Sequence, residues 1–201
     1  MKNVLSLIVA SLAVIALLIA GELWAQDVRR LNPFKVSVFA NSKEYPELYK
    51  EYRETWLRLT GFEISALHWN QFVVVFINQH PEVYRKNYIE HLKVSQDYED
   101  EEEDSVGHYT SYPVGTMLAK EGFESVSGRP GEPVSLVIMK KRESGYDLEY
   151  GDWQYFKFSP NGETLLQGNS KNAEVKSQCI NCHLNVSDSD FVFTSYFSAR
   201  Q

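Results

Sequence analysis

The sequence predicts an α+β domain: a mainly antiparallel β-sheet, helices in the N-terminal half, and a cysteine–histidine motif near the C-terminus. Two observations carry this prediction. The second half of the chain alternates apolar and aromatic stretches with turns that contain glycine or proline. The links between these stretches are short, and sequential strands with short links pair most readily in the antiparallel sense.

The N-terminal half is expected to supply the helices. Residues 45–59 place apolar side chains at helical spacing, and Gly61 is expected to end this helix. Residues 72–77 are a run of β-branched and aromatic residues that predicts a buried strand. Pro81 suits the first position of a second helix, which is expected over residues 82–93.

Further strands are expected in the second half. They are residues 114–121, 134–141 and 153–158, and an aromatic strand at residues 190–197 closes the chain. Two polar stretches are expected to be loops. One is the acidic run at residues 97–104, and the other is residues 168–178.

The most informative stretch is Cys179-Ile-Asn-Cys182-His183, a C-x-x-C-H motif typical of covalent c-type haem attachment. Two thiols add to the two vinyl groups of one haem, and two intervening residues let both sulfurs reach one edge of the ring. The adjacent His183 can then donate an imidazole nitrogen to the iron. Because Cys179 and Cys182 are the only cysteines, one covalent haem c is expected and no disulfide.

Other uses of the cysteines fit their context less well. A thioredoxin-like redox pair lies at the start of a βαβ unit, whereas this pair follows a β-rich region. A structural zinc site needs four ligands, and the sequence has no second C-x-x-C and no H-x₃₋₅-H to complete one. A chance occurrence of the pattern is the third alternative.

An export signal is expected, because c-type haem is attached outside the bacterial cytoplasm. Residues 1–3 include a lysine, residues 4–21 are uncharged and mostly apolar, and Ala25 offers a small residue for cleavage. We therefore expect residues 1–25 to be a signal peptide and the mature protein to be periplasmic. The apolar run is also just long enough for an uncleaved membrane anchor that leaves the domain facing the periplasm.

Residues 26–201 are expected to form a single haem domain. Aromatic residues make up 13% of the chain, which suits the walls around a large flat cofactor. The formal net charge of −7 argues against nucleic acid as a partner, because the phosphate backbone repels an acidic surface. The same charge is compatible with a basic redox partner protein of unknown identity.

Four segments in a fixed order resemble the cytochrome P-460 family, which includes the cytochromes c′-beta. They are Tyr112-Pro-Val-Gly-Thr-Met-Leu-Ala-Lys-Glu121, Gly151-Asp-Trp-Gln-Tyr-Phe156, the haem motif and Asp190-Phe-Val-Phe193. Together they span roughly the last 90 residues. The part before residue 110 matches the family more loosely.

The resemblance implies a sheet-based domain that forms a homodimer, with one face of the sheet covering the distal side of a five-coordinate haem. It also implies chemistry on small nitrogen compounds. Some members oxidise hydroxylamine, and others bind nitric oxide or carbon monoxide without evident turnover. In the oxidising members a lysine side chain forms an extra covalent bond to the porphyrin edge, and the Pro-x-Gly-x₄-Lys-Glu pattern places this lysine at Lys120.

Strand alternation is consistent with a haem-facing Lys120. It puts Leu118 and Lys120 on one face of their strand and Met117 and Glu121 on the other. Burial on a haem face would lower the pKa of the lysine and favour the neutral, nucleophilic amine. A lysine at a strand end that reaches solvent is the alternative.

Two departures from the family pattern argue against hydroxylamine oxidation. Oxidising members place an acid and a base in the distal pocket, but Val137 stands where the acid is expected and residues 72–77 contain no arginine. Together with Leu118 and Phe72, Val137 is expected to form an apolar pocket that binds neutral diatomic molecules. Other candidates for the acid are Glu121, Glu124 and Glu143.

The remaining histidines lack ligand spacing and are expected to be surface or packed residues: His68, His80, His91 and His108. Met117 and Met139 are alternative sixth iron ligands, which would give a low-spin electron-transfer haem. The sequence therefore leaves three functions open. They are an enzyme acting on hydroxylamine or nitric oxide, a non-catalytic gas-binding cytochrome, and a simple electron carrier.

Overall fold

The computed structural model describes residues 38–68, 70–99 and 107–195. The predicted signal peptide lies outside these ranges, and so do residues 196–197 of the predicted C-terminal strand. Within the described ranges, no helix is both long enough and apolar enough to cross a membrane.

A seven-stranded antiparallel sheet organises the described part of the chain. Its strands are β1 (Leu57–Arg58), β2 (Glu63–Ser65), β3 (Gln71–Ile77), β4 (Met117–Val126), β5 (Arg129–Lys141), β6 (Trp153–Phe158) and β7 (Thr164–Gly168). The order is β1-β3-β4-β5-β6-β7, and β2 pairs with β3. The α+β prediction, with mainly antiparallel pairing, is confirmed.

The two central strands, β4 and β5, form a long hairpin whose limits differ from the predicted ones. Strand β4 begins at Met117, three residues after its predicted start at residue 114. On the hairpin side β4 and β5 both extend beyond their predicted limits and meet at Ser127 and Gly128, which have φ of 52° and 74°. Two successive positive φ angles match the twist of a tight hairpin turn. Strand β6 coincides with its prediction, whereas β1, β2 and β7 were not predicted.

The helix predicted over residues 45–59 is wrong except for α1 (Tyr52–Thr55). Glu51 adopts a left-handed conformation with φ of 52°, so the chain before it forms turns rather than a continuous helix. The aromatic side chains still pack as expected, because Tyr49 and Tyr52 are buried against the sheet. Apolar periodicity here reflects a segment that wraps around a sheet.

The second helix, α2 (Pro81–Glu99), begins at the predicted proline but runs longer than predicted. It includes residues 97–99, which the sequence assigned to an acidic loop, and residues 100–104 of that run lie outside the described chain. The predicted loop at residues 168–178 is also wrong in its second part. Helix α3 (Ala173–Val175) begins there, capped by Asn172, whose side chain accepts a hydrogen bond from the Glu174 N–H.

A continuous helical segment carries the haem motif. A π-helical turn (Lys176–Ile180) follows α3, then come α4 (Asn181–His183) and a 3-10 segment (Leu184–Ser189). The chain after this segment was predicted to be a strand, and that prediction is wrong over residues 190–195. Asp190 and Phe191 have φ of 57° and 62°, which turns the backbone sharply instead of extending it.

The sheet separates two cores. Its aromatic face presents Phe76, Ala119, Ile138 and Phe156 to residues 39–56. Its haem face, which we define by Val75, Leu118, Lys120, Val137 and Met139, looks toward α2 and the helical segment with the motif. Since neighbouring residues of a strand point to opposite faces, one register decides which side chains line the site.

Candidate haem site

His183 is fixed in a ligand geometry by the turn that follows it. Its Nδ1 lies 2.6 Å from the backbone oxygen of Phe191, and because a carbonyl only accepts, Nδ1–H is the donor. The ring is flanked edge-on by Tyr155 and Phe193. Burial lowers the pKa of His183 to about 4, so the ring is neutral and Nε2 carries the lone pair that a metal needs.

The turn that presents the Phe191 carbonyl is itself tied to the sheet. The carboxylate of Asp190 accepts from Nζ of Lys141 at 2.6 and 2.7 Å and from the backbone N–H of Tyr112 at 2.7 Å. The Asp190 carbonyl accepts from the indole N–H of Trp153 at 2.8 Å. These bonds hold a strained left-handed pair of residues in place.

The two cysteines of the motif lie beside His183 on one cavity. Cys179 is buried, Cys182 is exposed, and the two are not joined to each other. Both line a cavity of about 310 Å³ together with His183 and side chains of the haem face. A second cavity of about 270 Å³ shares four of these lining residues, namely His68, Lys120, Val137 and His183.

The sheet wall of the two cavities is set by cross-strand register. Val75 pairs with Lys120, Lys120 with Val137, and Val137 with Lys157, which forms one row across β3 to β6. Leu118 and Met139 form the next row. Leu118, Lys120 and Val137 therefore share the face that lines the cavities, whereas Phe72 packs on the aromatic face and was wrongly included with them.

Lys120 extends into both cavities and contacts His68, with its Nζ at hydrogen-bonding distance of Nε2. Burial lowers the pKa of Lys120 to about 8. Lys120 is only partly exposed and lines both cavities, so it is not a strand-end lysine that extends into open solvent. Whether Lys120 is linked to haem stays a prediction.

His68 is a site residue to which the sequence assigned no role. It ends a 3-10 turn (Ala66–His68) after β2, and its Nδ1 lies 2.6 Å from the hydroxyl of Ser65. Burial, followed by the charge of Lys120, lowers the pKa of His68 to about 3. A neutral ring that accepts at Nε2 from the Lys120 ammonium and donates from Nδ1 to Ser65 satisfies both contacts.

The predicted acids lie away from the cavities. Glu121 faces the aromatic side of the sheet, where its carboxylate accepts from the guanidinium of Arg53 and from the hydroxyl of Tyr52. Glu124 and Glu143 are exposed. The carboxylate that does line the smaller cavity is Glu63, from the unpredicted strand β2.

Of the two methionines considered as sixth ligands, Met117 is excluded by its side of the sheet. It packs against the aromatic face, whereas Met139 lines the smaller cavity. The other histidines lie outside the cavity linings of the described chain: His80 contacts Glu82 at the surface, His91 is partly exposed and His108 is exposed.

The residues present fit a haem attached at the C-x-x-C-H motif. Two thiols and a neutral imidazole meet on one cavity, and the imidazole tautomer is fixed by the Phe191 carbonyl. In the described ranges no group of three or more His, Cys, Asp or Glu side chains is arranged to hold a metal ion by itself. A bare zinc ion would therefore lack a complete set of protein ligands here, whereas haem brings four nitrogens of its own.

A family model described as Cytochrome P460 matches residues 66–194 of this chain. The match covers well over half of the 201 residues and includes β3 to β7, His68, Lys120 and the haem motif. A comparison with curated proteins finds no match. The matched region contains most of the site described above, and the chain belongs to the cytochrome P460 family, whose cofactor is haem.

Proposed function

We propose that the protein is a c-type haem protein with an open distal iron position that binds or acts on small nitrogen compounds, such as hydroxylamine or nitric oxide. One observation carries the proposal. The sheet wall of the cavity that His183 also lines is mainly aliphatic, with Val75, Leu118 and Val137 offering no atom for coordination to iron. The sheet residues of this lining that do carry a potential donor atom include Lys120, which contacts His68, together with Met139 and Glu63. Both ring nitrogens of His68 are engaged elsewhere.

Each residue of the candidate site has a defined role in this proposal. Cys179 and Cys182 hold the haem covalently, and His183 supplies the proximal nitrogen. Bound haem supplies a redox-active iron that can take a small ligand through nitrogen. The apolar wall excludes water from the distal side, while Lys120 and His68 provide the polar contacts there.

The test is the absorption spectrum of the reduced holoprotein with and without carbon monoxide. A spectrum that shifts on addition of carbon monoxide supports an open iron. A low-spin spectrum indifferent to carbon monoxide would contradict the proposal and point to an electron carrier, for which Met139 in the smaller cavity is the candidate sixth ligand. A Met139→Leu variant then tests whether Met139 is the sixth ligand. If it is, the substitution should free the sixth position of the iron and allow carbon monoxide to bind.

A non-catalytic gas-binding cytochrome is the second candidate function, and Val137 favours it. Val137 stands where the family pattern places the acid, and a valine cannot accept a proton from hydroxylamine, which favours ligand binding without turnover. The carboxylate that lines this cavity, Glu63, comes from β2 and not from that wall position. Steady-state assays with hydroxylamine and an artificial electron acceptor distinguish the two functions. Turnover above that of free haem supports the enzyme, and stoichiometric binding without turnover supports the gas-binding protein.

Covalent attachment by the C-x-x-C-H motif is tested by denaturing extraction of the haem. Haem should remain with the wild-type chain and should be extracted from a Cys179→Ser, Cys182→Ser double variant. Peptide mapping of the same holoprotein reports whether Lys120 carries the additional bond to haem that the family's oxidising members have. A linked Lys120 favours the enzyme, and an unmodified Lys120 favours the gas-binding protein.

We also propose that the protein is periplasmic, through cleavage of residues 1–25, and that it forms a homodimer and exchanges electrons with an unidentified redox protein. Sequencing of the mature N-terminus, expected at Gln26, tests the cleavage against an uncleaved anchor. Sedimentation of the holoprotein tests the dimer.

A further inference from the structure

We propose that Lys120 and His68 form a cationic hydrogen-bond donor pair that selects small anionic ligands in the haem cavity. In this pair the Lys120 ammonium contacts the ligand and His68 positions the ammonium. The inference rests on the proposed function, because it needs a ligand to reach the cavity. It also requires Lys120 to remain a primary amine.

The contacts place the pair inside the site and not at its rim. Lys120 and His68 both line the two cavities, and His183 lines them as well. The other groups on the sheet wall around Lys120 are Val75 and Val137, its two cross-strand neighbours. Lys157 follows Val137 in the same row and lines the larger cavity, whereas in the described lining of the smaller cavity Lys120 is the one lysine or arginine. A cation flanked by aliphatic side chains acts strongly on a nearby anion, because little water is present to screen it.

The orientation of the ammonium comes from His68. Nζ of Lys120 contacts Nε2, and Nδ1 of the same ring contacts the Ser65 hydroxyl at 2.6 Å. Ser65 belongs to β2 and His68 to the turn after it, so the ring is anchored to the edge of the sheet. One of the three N–H bonds of the ammonium is thereby used for positioning, and two are left to donate.

The valine at position 137 determines which charged group acts on a ligand in the cavity. The family pattern led us to expect a carboxylate on the wall at that position, and the chain has a valine directly across from Lys120. Lys120 therefore has no carboxylate beside it at that cross-strand position, and the carboxylate that shares the smaller cavity with it is Glu63 of β2. A site of this kind should prefer monoanions such as azide over neutral diatomic molecules, which gain little from a nearby cation.

The experiment measures azide binding to the ferric holoprotein by absorption titration and carbon monoxide binding to the reduced holoprotein. Lys120→Met should weaken azide binding roughly 10- to 100-fold, the range expected for losing a charge-assisted hydrogen bond. His68→Ala should weaken it in the same direction, and His68→Gln should recover part of the affinity because its amide oxygen can accept from Lys120. Carbon monoxide affinity should change little in all three variants.

Lys157→Met is the matched control. Lys157 lies on the same cross-strand row, lines the larger cavity and contacts Gln178 at 3.3 Å, but it does not contact His68. Azide affinity close to wild type in this variant supports a specific pair. An equal loss in Lys157→Met and Lys120→Met would overturn the inference in favour of a general positive field, and so would unchanged azide affinity in Lys120→Met.

The outcomes separate this inference from the proposed function. Failure of the reduced wild-type protein to bind carbon monoxide contradicts the open iron position. Normal carbon monoxide binding with an azide affinity that ignores Lys120 and His68 contradicts the donor pair alone. Peptide mapping that finds Lys120 joined to haem also rules out the donor pair, while it leaves the open site in place.

Discussion

The backbone oxygen of Phe191 accepts a 2.6 Å hydrogen bond from Nδ1 of His183, which lies eight positions earlier in the chain. This bond fixes the imidazole tautomer and directs the other ring nitrogen to the cavity. It exists because Asp190 and Phe191 both adopt left-handed backbone conformations, which non-glycine residues seldom adopt. The orientation of His183, the proposed proximal ligand, therefore depends on what holds this turn.

Asp190→Ala should destabilise the protein by about 3–5 kcal/mol, because it leaves the ammonium of Lys141 buried without its carboxylate. The measurement is the free energy of unfolding from urea denaturation of the holoprotein. Asp188→Ala is the control, since Asp188 is exposed and only caps the neighbouring Ser189 N–H. It should change stability by no more than about 0.5 kcal/mol. Equal effects of the two substitutions would contradict a special role for the turn.

Glu121→Ala should lower the free energy of unfolding by a similar amount, about 3–5 kcal/mol, without changing ligand binding. Glu121 is fully buried and pairs with Arg53 on the aromatic face, away from the cavities. Urea denaturation measures the loss of stability, and carbon monoxide binding to the reduced protein reports on the cavity. Glu124→Ala, at an exposed position three residues on, should affect neither. Altered carbon monoxide affinity in Glu121→Ala would show that the two faces are coupled.

Val137→Glu should raise turnover with hydroxylamine by about 10²-fold or more, because it introduces a proton acceptor into the distal wall. The new carboxylate would lie next to Lys120 and Lys157 on the same cross-strand row. Val137→Gln is the matched control, since it has a similar size and cannot accept a proton as a carboxylate does. Similar turnover in both variants would mean that acid–base chemistry does not limit the reaction.

Azide affinity of the ferric holoprotein should fall as the pH rises through about 8. Burial is the main cause that lowers the pKa of Lys120 to about 8, so the ammonium is present below this pH and is lost above it. The titratable and charged groups around Lys120 are His68, Glu63, Lys157, Cys179, Cys182 and His183. Azide titrations of Lys120→Met between pH 6 and 9 should not show this decrease in affinity. If the decrease persisted in Lys120→Met, a titrating group other than Lys120 would be its cause.

Much of the fold was predictable because it depends on local pattern. The run at residues 72–77 and the alternation around Lys120 each indicate a strand, and the structure places both in the sheet. The C-x-x-C-H motif is equally local, since its chemistry is contained within five residues. These features need no knowledge of where the rest of the chain lies.

The features that the sequence did not predict depend on distant contacts. His68 enters the site through a partner 52 residues away, and no spacing in the sequence relates the two. The helix predicted over residues 45–59 failed because the same apolar periodicity serves a segment that wraps around a sheet. The strand predicted at residues 190–197 failed because two non-glycine residues take positive φ angles, for which their side chains give no signal.

The order of the elements along the chain has a consequence for maturation. The last strand ends at Gly168, and the helical segment that bears the cysteines begins at Ala173. A chain delivered N-terminus first therefore presents the complete distal wall before either thiol arrives. In the proposed holoprotein, haem attachment through these thiols would then follow the synthesis of all seven strands of the sheet. Loss of the thiols should consequently yield a folded protein that lacks covalently attached haem rather than an unfolded one.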